Sequence, residues 1–272
     1  MSGAAETAFC VRDVSYRYHR VPALNGLSMR VAKGERVALL GANGSGKSTL
    51  LRLLAGLSFP EGGDISFFGQ PVTERNLQEE AFFFSFRRRI GFVFQNPDVQ
   101  LFNPSVFDEV AFGPLQLGWP KAQIRGRVEA LLESMGISHL RDRAPHRLSG
   151  GEKKRVALAS VLVTDPEVLL LDEPSAALDP LSQARIISLL RSWRNGVKTV
   201  ITATHNLDTL EDVADRCYVF QAGRIAGEGT PLQVLHDVAL LERTGLVRVH
   251  EHVHDGDDAP HPHPHLHRHD RH

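Results

Sequence analysis

The most informative stretch of this sequence is Gly41-Ala42-Asn43-Gly44-Ser45-Gly46-Lys47-Ser48, which fits the phosphate-loop pattern G-x-x-x-x-G-K-[ST]. The apolar run Val37–Leu40 predicts a buried strand before it, and Ser48–Leu57 predicts a helix after it. Glycines let such a loop wrap closely, so its N–H groups and the positive end of the helix face a phosphate. We expect Lys47 to reach the β- and γ-phosphates and Ser48 to bind Mg²⁺, within a nucleotide site that extends to Thr49. The alternative is an ordinary glycine-rich turn.

A second stretch places two carboxylates after a buried strand. The apolar run Val168–Leu171 leads directly into Asp172 and Glu173. In open α/β sheets, ligands bind at the carboxyl ends of the strands. We expect Asp172 to hold Mg²⁺, directly or through water, and Glu173 to act as base on the attacking water. Acidic strand ends are common, so this signal gains its weight from the phosphate loop.

The rest of the chain alternates between strands and helices. Residues 9–37 indicate short strands with turns, and Ile90–Gln95 and Thr199–Thr204 indicate further strands. A helix is predicted at Leu181–Arg194, whereas residues 104–165 are more helical and resemble an insertion. This alternation predicts an α/β fold with a mostly parallel sheet. We predict one domain over residues 1–249.

The composition is that of a globular protein. The 272 residues are 42% hydrophobic and 23% charged, with a net charge of −1, so no basic excess favours a nucleic-acid partner. Two cysteines, Cys10 and Cys217, are too few for a disulfide framework and fit a reducing compartment. No apolar run approaches the roughly 18 residues of a membrane span, and residues 1–20 lack a signal-peptide pattern. If the protein works at a membrane, another chain must hold it there.

A family resemblance rests on Leu148-Ser149-Gly150-Gly151-Glu152, which precedes a helix rich in Lys and Arg. This segment resembles the signature motif of ATP-binding cassette (ABC) ATPases, with Glu152 in place of the more usual Gln. The motif order also matches the family over roughly residues 9–230. The resemblance implies an ABC nucleotide-binding domain with a RecA-like parallel core, an N-terminal antiparallel β subdomain and a helical signature subdomain. Its implied activity is ATP hydrolysis coupled to transport, with ATP and Mg²⁺ bound.

The resemblance also assigns roles to residues at matching positions. Ser149, Gly150 and Gly151 would bind the γ-phosphate held by the opposite subunit, which implies a homodimer or a heterodimer with a related ATPase; the alternative for Ser149 is a plain helix N-cap. Gln95 would contact Mg²⁺ and water, and His205 would orient the γ-phosphate. The remaining implied positions are Asp179 at the dimer contact and Tyr18 against adenine, with Tyr16 as its rival.

The segments 93–102 and 108–114 look like the ATPase subunits of energy-coupling-factor importers, above all the cobalt and nickel group. That likeness implies a membrane scaffold, a membrane substrate-binding subunit and a place on the cytoplasmic face of the cell membrane. Residues 95–119 would form the groove for the scaffold. There Asp98, Asp108 and Glu109 would meet basic residues, unless they are simply solvated.

Two short segments before this groove allow more than one reading. Ala81–Phe86 is either an exposed aromatic docking patch or buried against the sheet. Arg87–Arg89 is either in contact with lipid headgroups or a solvated charge run.

Histidines are concentrated at the end of the chain: nine of the 14 lie beyond residue 249. We predict that residues 250–272 form a disordered His-rich tail, because few apolar residues remain to offset its ordering entropy. Neutral imidazole suits Ni²⁺ and Co²⁺, and the candidate ligands are His261, His263, His265, His267 and His269. A solubilising tail and an expression tag are the alternatives. The function we expect is therefore that of the ATPase of a Ni²⁺ or Co²⁺ importer. The alternatives are the ATPase of a vitamin importer of the same type, and a metal-binding chaperone or storage protein with an accessory cassette.

Overall fold

The computed structural model describes residues 6–247. Its strands are β1 (Thr7–Tyr18), β2 (Val21–Ala32), β3 (Arg36–Leu40), β4 (Gly62–Phe67), β5 (Gln70–Pro71), β6 (Ile90–Val93), β7 (Val168–Asp172), β8 (Thr199–Thr204), β9 (Arg216–Gln221) and β10 (Arg224–Gly229). Its α-helices are α1 (Lys47–Leu54), α2 (Glu74–Gln78), α3 (Glu80–Arg89), α4 (Val106–Gln116), α5 (Lys121–Ser134), α6 (Gly150–Leu162), α7 (Pro180–Ser192), α8 (Leu210–Val213), α9 (Pro231–His236) and α10 (Val238–Arg243). Short 3₁₀ turns lie at Pro97–Val99, Ser138–Leu140 and Pro145–Arg147.

The central sheet has six strands in the order β10-β9-β3-β8-β7-β6. All neighbours pair in parallel except β9 and β10, which form an antiparallel edge. Every residue of β3, β7 and β8 is buried, as expected for parallel strands covered on both faces. The carboxyl ends of β3, β7 and β8 therefore meet at one edge, where the phosphate loop begins.

A four-stranded antiparallel sheet, in the order β2-β1-β4-β5, covers one side of α1. Its inward residues share a core with α1 and with one face of the central sheet. The other face packs against α6 to α10, and a third cluster joins α4, α5 and α6. These helices lie inside the predicted helical stretch 104–165. The predicted α/β fold, with its parallel core and antiparallel N-terminal sheet, is confirmed, whereas the predicted disordered tail lies outside the described residues.

The aromatic segment Ala81–Phe86 is part of α3, and neither reading of it holds throughout. Phe86 is buried against Phe67, whereas Phe83 and Phe84 remain partly exposed.

The solvated reading of the arginine run is wrong for two of its three members. Arg87 donates to the carbonyl oxygens of Ala55 and Gly56, and Arg89 pairs with Glu167 while its guanidinium lies over the Phe68 ring. Packing of α3 against the end of α1 and the edge of the sheet creates these contacts.

Candidate active site

The phosphate loop connects β3 to α1, and its shape requires glycine. Gly41 and Gly46 have φ angles of 150° and 109°. A Cβ atom at Gly41 would lie 2.6 Å from Ser45 Oγ, and one at Gly46 would lie 2.7 Å from the Ala23 carbonyl oxygen. Ala42, Asn43 and Gly44 are exposed, which leaves the outer side of the loop open.

Two side chains of the loop have polar atoms suited to a phosphate. Lys47 Nζ donates to the carbonyl oxygens of Gly41 and Ala42, at 2.7 and 3.0 Å, so the ammonium lies folded over the loop. Burial lowers the pKa of Lys47, while Glu173 and Asp172 oppose that shift. Ser45 Oγ is buried and has no hydrogen-bond partner within residues 6–247. Buried polar atoms are normally paired, so an unpaired hydroxyl in this loop fits a phosphate ligand.

The predicted Mg²⁺ ligands Ser48 and Asp172 lie next to each other. Ser48 Oγ donates to Asp172 Oδ1 at 3.0 Å, which joins the first turn of α1 to the end of β7. Burial is the largest cause of a raised Asp172 pKa, and the Ser48 hydrogen bond opposes it. A hydroxyl and a carboxylate are hard oxygen donors of the kind that Mg²⁺ prefers. The donor set therefore fits Mg²⁺ bound together with a nucleotide.

Glu173 and His205 also lie in contact, although 32 residues separate them in the sequence. His205 Nδ1 is 2.8 Å from Glu173 Oε1. The Glu173 backbone has a φ of 48° and its N–H donates to the Ala203 carbonyl oxygen, which directs the chain out of β7. The Glu173 side chain is 7% exposed and the His205 side chain is 57% exposed. A carboxylate shielded by the protein thus contacts a histidine that reaches solvent.

The signature residues lie at the start of α6. Ser149 is the N-cap: Glu152 N–H donates to Ser149 Oγ, and Ser149 N–H donates to the Glu152 carboxylate, which completes a capping box. This backbone hydrogen bond is the main reason that the pKa of Glu152 is lowered. The N-cap reading of Ser149 therefore holds within the single chain, while Ser149 and Gly150 are exposed. A Cβ on Gly151 would lie 3.3 Å from Asp179 Oδ2, so Asp179, the N-cap of α7, borders the signature.

Gln95 and Tyr18 lie at the surface. Gln95 follows β6, is exposed, and makes no side-chain hydrogen bond to any other residue from 6 to 247. Tyr18 ends β1, is 40% exposed, and meets Tyr16 edge-on with ring centroids 5.0 Å apart. Tyr16 is partly buried against the core, so Tyr18 is the more accessible ring of the two.

We expected Asp98, Asp108 and Glu109 to meet basic residues of the membrane scaffold. This expectation is wrong for Glu109. Its buried carboxylate accepts the backbone N–H groups of Phe102 and Asn103, both at 2.8 Å. Asp98 pairs with Lys153, and Asp108 accepts from the Ser105 hydroxyl. Each acidic side chain thus has a partner within the chain.

One residue at the site was missed. Lys154, on α6, donates to the carbonyl oxygens of Glu173 and Ala176. A lysine in a charged helix indicates a solvated face, so no local signal distinguishes it.

Comparison with known proteins agrees with this geometry. The profile described as ABC transporter matches residues 24–176. The chain belongs to the ABC transporter family. This ABC ATPase is 57% identical over 243 residues to the nickel import ATP-binding protein NikO of Rhodobacter capsulatus. The alignment covers 88% of this chain and 96% of that protein. It is 44% identical to the energy-coupling factor transporter ATP-binding protein EcfA of Methanothermobacter thermautotrophicus, over 87% of this chain and 75% of that one.

Solved structures give the same assignment. CbiO1 of Clostridium perfringens, described as part of the ABC transporter complex CbiONQ, matches with a TM-score of 0.74 and 38% identity over 89% of this chain and 95% of that one. The ATP-binding cassette MJ0796, solved as a dimer with ADP and Pi, matches with a TM-score of 0.73 and 25% identity over 82% of this chain and 98% of that one. The predicted energy-coupling-factor type and the predicted ATPase activity are confirmed. Among residues 6–247, no helix has the length and apolarity to cross a membrane.

Proposed function

We propose that this ABC ATPase powers the import of Ni²⁺ or Co²⁺ through membrane-embedded partner subunits. The observation that carries the proposal is its 57% identity to a nickel import ATP-binding protein, extending over nearly all of both chains. The membrane partners would be a scaffold protein and a substrate-binding subunit. The ATPase would then sit on the cytoplasmic face of the membrane.

The proposed roles at the catalytic site follow from the contacts described above, except that of Gln95, which rests on its position after β6 and on the family resemblance. Glu173 accepts the proton of the attacking water, because its carboxylate lies at the carboxyl edge of the sheet beside the phosphate loop. His205 contacts that carboxylate and orients the water and the γ-phosphate. Lys47 binds the phosphates, while Ser48, Asp172 and Gln95 are the proposed holders of Mg²⁺. Mg²⁺, when bound, neutralises charge on the phosphate oxygens.

The proposed active unit is a dimer, either of two copies or of this chain and a related ATPase. Ser149 and Gly150 are exposed at a helix N-terminus, which is a site suited to an anion supplied by another molecule. Asp179 borders the signature and would lie at the same contact. The dimeric state of the similar cassette MJ0796 supports this arrangement.

The variant Glu173→Gln tests the catalytic assignment. We expect it to bind ATP, to lose hydrolysis and to accumulate as a dimer, because the amide cannot accept the proton of water. Glu167→Gln is the matched control: Glu167 precedes the other end of β7 and forms only a partly exposed ion pair with Arg89. ATPase rates and size-exclusion profiles with ATP would be compared. Turnover of Glu173→Gln near that of the control would show that another residue is the base.

The proposed docking surface for the membrane scaffold consists of exposed apolar side chains within residues 95–119. Val99 and Phe102 are 65% and 68% exposed, and the Phe102 ring meets Phe112 edge-on with centroids 5.1 Å apart. Leu115 extends the same helix surface and is 48% exposed. Exposed apolar side chains that lie close together, as Phe102 and Phe112 do, are typical of an interaction site.

Reconstitution tests the transported substrate. The full chain, purified with its membrane partners, would be placed in vesicles, and uptake of radiolabelled Ni²⁺, Co²⁺ and a vitamin such as biotin would be measured with and without ATP. We expect ATP-dependent uptake of Ni²⁺ or Co²⁺. Uptake of the vitamin alone would instead identify a vitamin importer.

The His-rich tail is a proposed Ni²⁺ or Co²⁺ ligand, resting on the five alternate histidines from 261 to 269. In the full chain, serine would replace His261, His263, His265, His267 and His269. We expect Ni²⁺ binding at pH 7.5 to fall while ATPase activity persists. Equal Ni²⁺ binding by both proteins would remove the tail from the proposal.

A further inference from the structure

Lys154 connects the signature helix to the catalytic turn, here defined as residues 173–177. Its Nζ lies 3.0 Å from the Glu173 carbonyl oxygen and also donates to the Ala176 carbonyl oxygen. Lys154 is half-buried, and its position on α6 lies five residues after Ser149. One ammonium group thus holds both ends of a four-residue segment that begins with Glu173.

The catalytic turn requires such support because its backbone is strained. Glu173 and Ala177 both have positive φ angles, 48° and 57°, which L-amino acids with a Cβ adopt at a cost. Within the turn, the backbone contributes a hydrogen bond from Ala176 N–H to the Glu173 carbonyl oxygen at 3.2 Å. Strained conformations persist where surrounding contacts determine them, and Lys154 supplies two such contacts.

The charges around Lys154 link it to the acidic residues of the site. Burial lowers its pKa, whereas the carboxylates of Glu173 and Asp172 oppose that shift. The ammonium therefore lies in the field of both acidic groups of the site. A charged donor forms stronger hydrogen bonds to a carbonyl than a neutral one does, so Lys154 contributes strongly to the geometry of the turn, beside the backbone hydrogen bonds of Glu173 and Ala176.

We propose that Lys154 is a positioning residue for Glu173. Its ammonium fixes the catalytic turn and so couples α6 to the carboxylate that acts on the chain's own nucleotide. The inference rests on the proposed role of Glu173 as base. Because the start of α6 is the proposed contact with the partner's nucleotide, Lys154 would transmit the position of the signature helix to hydrolysis in its own subunit.

The chain contains a matched control. Lys198 Nζ donates to the Pro166 carbonyl oxygen and pairs with Asp165, whose φ is also positive at 53°. This lysine likewise supports a strained turn next to β7, but at the opposite end of that strand from Glu173. Both Lys154→Met and Lys198→Met remove a lysine that supports a strained turn, but only Lys154→Met removes one that contacts Glu173. Comparing them therefore distinguishes a general loss of stability from a loss of catalytic positioning.

The experiment measures kcat, the KM for ATP and the melting temperature of the full chain in its active assembly. We expect Lys154→Met to lower kcat by about 10- to 100-fold with little change in KM, as for a misplaced catalytic group. We expect Lys198→Met to retain kcat with a similar loss of thermal stability. Lys154→Arg, which keeps a charged donor, should recover part of the rate. Unchanged kcat in Lys154→Met, or an equal loss in Lys198→Met, would overturn the proposal.

Two further measurements distinguish failure of the Lys154 proposal from failure of the Glu173 assignment. Hydrogen exchange of the amides in the catalytic turn should accelerate in Lys154→Met and stay unchanged in Lys198→Met; equal rates in the wild type and Lys154→Met would contradict the tie. Glu173→Gln, assayed in parallel, tests the underlying role. If Glu173→Gln hydrolyses ATP normally, the base assignment and this inference fall together. If only Lys154→Met hydrolyses ATP normally, the inference alone falls.

Discussion

Replacement of Glu109 tests how the segment that carries Phe102, part of the proposed docking surface, is held in place. Glu109 is 3% exposed and lies on α4, and its carboxylate accepts hydrogen bonds from the segment that carries Phe102. Both hydrogen bonds, from Phe102 N–H and Asn103 N–H, end on the same oxygen, Oε2. In Glu109→Ala both N–H groups lose their acceptor, whereas in Glu109→Gln the amide oxygen still accepts them without a charge.

The expected magnitudes follow from these two hydrogen bonds. A hydrogen bond to a charged group contributes about 1.5–3 kcal/mol, so Glu109→Ala should lower the free energy of unfolding by about 3–6 kcal/mol. Charge assistance roughly doubles the strength of such a bond, so Glu109→Gln should cost about half as much. For a chain near this size, each kcal/mol shifts the melting temperature by roughly 2–4 °C.

Urea unfolding followed by circular dichroism measures these changes. Asp98→Asn is the matched control, because Asp98 is 61% exposed where it pairs with Lys153. A surface ion pair of this kind contributes about 0–1 kcal/mol. A loss for Glu109→Ala no larger than that for Asp98→Asn would contradict the role of the two hydrogen bonds, and an equal loss for Glu109→Gln and Glu109→Ala would contradict the role of the charge.

Three other changes have definite expected outcomes. Arg36 is 1% exposed and donates to the half-exposed Asp215 carboxylate, so Arg36→Met, which removes hydrogen bonds to a charged group, should cost about 1.5–3 kcal/mol in urea unfolding, and a loss below about 0.5 kcal/mol would contradict that. Burial raises the pKa of Cys217 to about 12, so a thiol reagent at pH 8 should leave Cys217 unmodified until denaturant is added; labelling of Cys217 in the native protein would refute its burial. Gly41→Ala should weaken ATP binding, measured by calorimetry, more than Gly44→Ala, because a Cβ at Gly41 would lie 2.7 Å from the Phe220 carbonyl oxygen and one at Gly44 would meet nothing within 4 Å. Equal binding by the two glycine variants would contradict the close contact at Gly41.

The sequence alone predicted the parallel core and the phosphate loop. Both depend on contiguous residues: a strand buried on both faces requires an unbroken apolar run, as in Val168–Leu171, and a phosphate cradle requires glycines at fixed spacing. The adjacency of Ser48 and Asp172 followed as well, because the carboxyl ends of all parallel strands in a sheet lie at the same edge. Such features are local or follow from topology.

Side-chain partners over long distances were decided by the tertiary structure. The local pattern describes Lys154, Glu109 and Arg87 equally well as solvated charges, yet each is tied to backbone groups elsewhere in the chain. Lys154 and Glu173 are 19 residues apart, and only the packing of α6 beside β7 brings them together. Sequence periodicity reports which face of an element is apolar, but a polar side chain finds its partner through the relative placement of elements. The packing of the whole core sets that placement, so the sequence of a single segment cannot predict it.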